Sequence, residues 1–248
     1  MNKHLSVLAL YARNNFLRLL SLMAAMGILE AVLYVLHWNR VDREQPPLPA
    51  AEDLLRGIPL MSTAALLLLL FLLCRSDDEA PAIAYTLRRL RIPEETTVLW
   101  KAVYNGLCLL LFWAVQAGAA MGLCLWYASV IGPDYSSPQT VFLAFYRSPF
   151  FHNLLPLDNW TRYLRNLVLL LSLGFCAAVR TYKLRRGSRY GWGMVTFLWG
   201  VVYASFSAGI SSCFMDIVVI AVSLIAAAAD AAYLRRGWRG ELDEAYTH

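Results

Sequence analysis

Nothing constrains this chain more than its uninterrupted apolar runs, several of which are as long as a bilayer is thick. They cover 19–36, 58–74, 98–131 and the shorter 166–179, followed by 191–233, which is long enough for two passes broken near Gly209-Ile210-Ser211-Ser212. Roughly 20 apolar residues cross the hydrocarbon as a helix, because lipid offers no partner for a backbone N–H or C=O. Packing such runs into a water-soluble core would need far more polar surface than the chain has. Hydrophobic residues make up 59% of its 248 residues and charged residues 16%, with a mean hydropathy of +0.50. The pattern predicts an all-α integral membrane protein: six transmembrane helices in a single transmembrane domain over residues 1–248.

The segments between the runs have distinct characters. In 1–18, Leu5, Leu8, Ala9, Ala12, Phe16 and Leu19 recur at helical spacing, with Lys3, Arg13 and Arg18 mostly off that face, which predicts an interfacial helix ahead of the first span. It is not read as a cleaved signal, since the apolar run behind it is span-length. Residues 39–57 form a polar loop containing Pro46, Pro47 and Pro49. Residues 132–165 mix four prolines with many aromatics, including Phe150, Phe151, Trp160 and Tyr163, a composition suited to short helices at headgroup level. The fourth run crosses only if 160–165 belongs to the same helix.

Basic residues set the orientation. Of the 22 lysines and arginines, sixteen fall in the N-terminal segment, in 75–101, in 180–189 and in the tail, and six in the two alternate loops. Cytosolic loops carry the excess of lysine and arginine, so both termini are expected in the cytosol. The net charge of +5 thus reflects membrane topology, and no nucleic-acid partner is expected. Cys74, Cys108, Cys124, Cys176 and Cys213 sit singly in or beside apolar runs and read as small apolar side chains, with no metal or disulfide framework.

Between the second and third runs lies a polar interruption. After Arg75-Ser76-Asp77-Asp78-Glu79-Ala80-Pro81, residues 82–91 form one short helix, with Ile83, Leu87 and Leu90 on one face and Arg88, Arg89 and Arg91 at its C-terminal end. Pro93, Glu94 and Glu95 then open the next helix. This basic amphipathic helix suits either lipid phosphates or a soluble partner.

The interfacial first helix, six spans and this short helix together resemble the type 2 (exporter-class) permeases of ABC transporters, and the run Tyr85-Thr86-Leu87-Arg88-Arg89-Leu90-Arg91-Ile92-Pro93-Glu94-Glu95 is similar to that family's approach to its third span. The resemblance implies that Ile83, Tyr85, Leu87, Arg88, Arg89, Leu90 and Arg91 dock on an ATPase subunit. It also implies that a second permease chain, identical or related, completes the pathway, and that the home is a cell membrane, with a bacterial plasma membrane expected. The chain departs from the family in carrying its large outer segment between spans three and four. No phosphate loop of the Gly-x-x-x-x-Gly-Lys-Ser/Thr type occurs, so no enzymatic activity and no cofactor are expected on this chain, ATP being bound by the partner.

Rival readings are a secondary transporter, a non-transporting assembly or sensor subunit, and an intramembrane enzyme. Against the last, Glu30, Asp216 and Asp230 show no paired-acid context and His-Glu-x-x-His is absent. Glu30 and Asp216 interrupt apolar runs, where a charge costs about 2.5 to 3.5 kcal/mol, and are the pathway candidates. Asp216 is expected to line a path and Glu30 to be satisfied within the bundle. Asp230 is expected to pair with Arg235 or Arg236.

Overall fold

The computed structural model describes residues 3–38, 57–75, 93–131, 147–156, 159–186, 192–207 and 212–239, together with 139 and 143. These residues form helices and no strand: α1 (Lys3–Trp38), α2 (Ile58–Arg75), α3 (Glu94–Ile131), α4 (Pro149–Leu154), α5 (Trp160–Arg185), α6 (Trp192–Ser207) and α7 (Cys213–Trp238). Four are long and apolar enough to cross a membrane, over Asn15–Trp38, Glu94–Val130, Trp160–Leu184 and Cys213–Gly237, while Ile58–Cys74 and Trp192–Phe206 are shorter apolar helices. This is the composition of a multi-pass membrane protein. The segment 82–91, expected to be a short helix and carrying all seven docking candidates, lies outside the described residues.

Local chemistry explains the helix starts. Glu94 and Glu95 occupy the first turn of α3, where the dipole favours carboxylates. Asn159 caps α5 by accepting from the Thr161 N–H at 3.3 Å, and Ser212 caps α7 by accepting from the Met215 N–H at 3.3 Å. Two expectations change. The amphipathic residues before Leu19 are not a separate element, because α1 continues from Lys3 to Trp38 without a break; no proline or cap stops it. Arg162 and Arg165 do not belong to a loop, because the Asn159 cap starts α5 ahead of them and joins 160–165 to the fourth run.

α5 is the axis of the bundle, packing most extensively on α3 and α7, while α1 rests on α3 and α2. Its outer stripe is Trp160, Leu164, Leu167 and Leu171, all exposed, whereas Arg162, Arg165, Asn166, Ser172, Arg180 and Thr181 are buried. In water the stripe would face inward; here the polar face turns into the bundle, the arrangement lipid favours. At the α3–α5 crossing the backbones themselves touch. A Cβ on Gly174 would lie 2.8 Å from the Gly106 nitrogen, and the Asn105 amide donates to the Gly174 carbonyl at 3.3 Å. Gly118 and Gly122, spaced for close helix contact, meet nothing within 4 Å.

Contacts between helices give their directions. α5 runs against α3, with Tyr182 at Glu95, Thr181 at Lys101 and Gly174 at Asn105. α7 runs with α5, since Asp216 meets Arg165 and Asp230 meets Lys183. α6 begins beside Arg180 through Trp192 and ends beside Phe150 of α4 through Phe206, so it runs against α5.

Candidate functional site

Three polar assemblies are buried along the bundle, one near each end and one between. The first joins α4, α5 and α7. Arg165 on α5 donates from Nη1 to Asp216 Oδ1 at 2.7 Å, from Nη2 to Asn153 Oδ1 at 3.3 Å, and to Asn166 Oδ1 from Nε at 3.2 Å and Nη2 at 3.0 Å. Asn166 donates to the Asn153 carbonyl at 2.7 Å, and Arg162 Nε lies 3.7 Å from Asp216 Oδ2. Asp216 is 0% exposed. Although it stands in the first turn of α7, it does not face water: Arg162 and Arg165 close over it. The network pins the short α4 to α5 through Asn153.

The second assembly is the pair on α1 and α3. Glu30 and Gln116 are fully buried, and the Gln116 amide donates to Glu30 Oε1 at 2.8 Å. Among the described residues, Glu30 Oε2, Gln116 Oε1 and the Tyr34 hydroxyl, one turn along α1, have no hydrogen-bond partner. Gln116 also lines a small cleft of about 40 Å³ between α2, α3, α4, α5 and α6. Ser62, Thr63 and Leu66 of α2, Leu170 of α5, Val202 and Phe206 of α6, and Phe150 and Leu154 of α4 line it as well. Phe150 and Leu154 belong to α4, so the helix held by the Arg165 network also lines the cleft.

The third assembly ties the opposite ends of α3, α5 and α7 together. The Tyr182 hydroxyl donates to Glu95 Oε1 at 3.2 Å, Arg186 lies 3.7 Å from the same oxygen, and Lys183 pairs with Asp230 at 2.5 Å. Asp230 therefore does not pair with Arg235 or Arg236 of its own helix; it is 2% exposed and faces α5, whereas both arginines are exposed. Among the described residues no three His, Cys, Asp or Glu side chains gather as a metal site.

Of the two carboxylates that the sequence singles out, the structure puts Asp216 among arginines and Glu30 beside the cleft. It brings in Gln116, Asn153, Arg165 and Asn166, which the sequence reading did not name as site residues. The available signal was their polarity within otherwise apolar helices. Compared with models of known families, with curated proteins and with solved structures, the chain matches none.

Proposed function

We propose that this chain is the membrane-spanning permease subunit of an ABC transporter of the exporter class, driven by an ATPase on another polypeptide and paired with a second permease chain. The observation that carries the reading is the Glu30–Gln116 pair on the flank of an intramembrane cleft. Buried polar groups at this depth are costly and mark pathways; the cleft is mostly apolar and, at about 40 Å³, would take a solute only when the helices around it part. The network around Arg165 holds α4 beside the cleft as a gate. The alternating directions of α3, α5, α6 and α7 support six passes, with α2 and α6 as the shorter spans, both termini in the cytosol and a bacterial plasma membrane as the expected home. The assembly of Glu95, Tyr182, Arg186, Lys183 and Asp230 makes the cytosolic ends of three helices one stiff body, so a push on the connector before α3 would reach the gate.

The deciding experiment is copurification. Leu87→Asp with Leu90→Asp is expected to abolish recovery of an ATPase subunit while the permease stays inserted, because an unpaired charge at a buried contact costs several kcal/mol. Full recovery of the ATPase with the double variant would sink the docking assignment and favour a lipid-surface connector. Orientation has its own check. Single cysteines placed at Gln45 and Ser137 in a cysteine-free background are expected to label from outside intact cells, and those at Ser76 and Ser188 are not. External labelling at Ser188 would rule out the six-span arrangement.

A further inference from the structure

Arg180 is 7% exposed and stands where the apolar part of α2 ends and α6 begins. Its Nη1 donates to the Cys74 carbonyl at a long 3.4 Å, and its guanidinium carbon lies 3.4 Å from the centre of the Trp192 ring. Its Nε has no acceptor. The carboxylates that meet this end of α5 are engaged by other residues of it, Asp230 by Lys183 and Glu95 by Tyr182 and Arg186, and among the described residues none pairs with Arg180. The last carbonyls of α2 offer only a fraction of a negative charge, and a cation this buried is costly until an anion joins it.

With Nη1 used on Cys74, the edge formed by Nε and Nη2 is left, the fork that takes two oxygens of one oxyanion. A tryptophan at the end of an apolar helix marks headgroup level, and Arg235 and Arg236 in the last turn of α7, with Arg239 at its C-cap, lie at the same end of the bundle. We propose that Arg180, held by Trp192 and the Cys74 carbonyl, is a phosphate-binding site at the membrane surface, its phosphate supplied by a lipid headgroup or by free phosphate. The site does not depend on the transport reading.

The test uses the full chain in a maltoside detergent, which carries no phosphate, with phosphatidylglycerol in one arm and inorganic phosphate in the other. Melting temperature and lipid retained in native mass spectrometry are read. Phosphatidylglycerol is expected to stay bound and raise the melting temperature, and Arg180→Gln to weaken it about tenfold, a loss of about 1.4 kcal/mol. Arg180→Lys should keep part of the affinity, since an ammonium lacks the fork. A shift with inorganic phosphate but not with the lipid would support the site and assign its source to free phosphate. Trp192→Leu, also expected to lower affinity, carries the test should Arg180→Gln fail to fold. Equal binding by wild type, Arg180→Lys and Trp192→Leu would overturn the proposal, as would an equal loss in the surface variant Arg235→Gln with Arg236→Gln, which would make the attraction diffuse.

Discussion

Asp216→Ala is expected to destabilise the purified chain by about 3 to 5 kcal/mol, the usual cost of leaving one member of a buried ion pair behind. Arg165 is 1% exposed, and among the described residues Asp216 is the carboxylate with which it pairs, at 2.7 Å. Without it the guanidinium keeps only the neutral oxygens of Asn153 and Asn166, while Arg162 loses its contact at 3.7 Å. The damage should extend to α4, because Asn153 belongs to the same network. Arg165→Met combined with Asp216→Leu should recover part of the loss, since the Arg165 charge is then not left behind, although Arg162 still lacks its contact with Asp216. Glu30→Gln is the control. The new amide still offers an oxygen to the Gln116 amide and adds an N–H for Gln116 Oε1, which has no partner among the described residues, so melting should be unchanged, whereas under the proposed function the response of the partner's ATPase activity to substrate should change. Thermal melting in nanodiscs separates these cases. A stable Asp216→Ala would show that the network does not hold the bundle; a normal substrate response in Glu30→Gln would take that residue off the path.

Gly174→Val is expected to cost about 3 kcal/mol or more, at the upper end of overpacking penalties. Even a Cβ at Gly174 would come within 2.8 Å of the Gly106 nitrogen, 3.0 Å of its Cα and 3.2 Å of the Asn105 carbonyl carbon. These are backbone atoms in the middle of a helix and cannot rotate aside as a side chain would. Relief requires α3 and α5 to separate along their whole crossing, which also breaks the bond from Asn105 to the Gly174 carbonyl. The same substitution at Gly118 or Gly122, where nothing lies within 4 Å, should leave melting nearly unchanged. Equal melting of Gly174→Val and Gly118→Val would refute the close crossing.

What the sequence by itself determined is the class of fold and where the long helices run. Lipid forces each apolar run to satisfy its own backbone, so the spans of α1, α3 and α7 could be read from their apolar runs, while α5, whose run is short, needed its cap at Asn159; Pro93 with Glu94 and Glu95 marked the start of α3. The unusual cost of Glu30 and Asp216 was visible for the same local reason. Only the tertiary structure decided their partners. Gln116 is 86 positions from Glu30 and Arg165 is 51 from Asp216, and no spacing along the chain encodes such a pairing. The glycine pattern at 118 and 122 has the right period on a face that meets nothing, whereas Gly106 and Gly174, with no period between them, form the contact. Hydrophobic pattern reports what each helix must hide from water, and in lipid nearly every face satisfies that demand. Which faces meet is set by polar pairing and close backbone fit between distant segments.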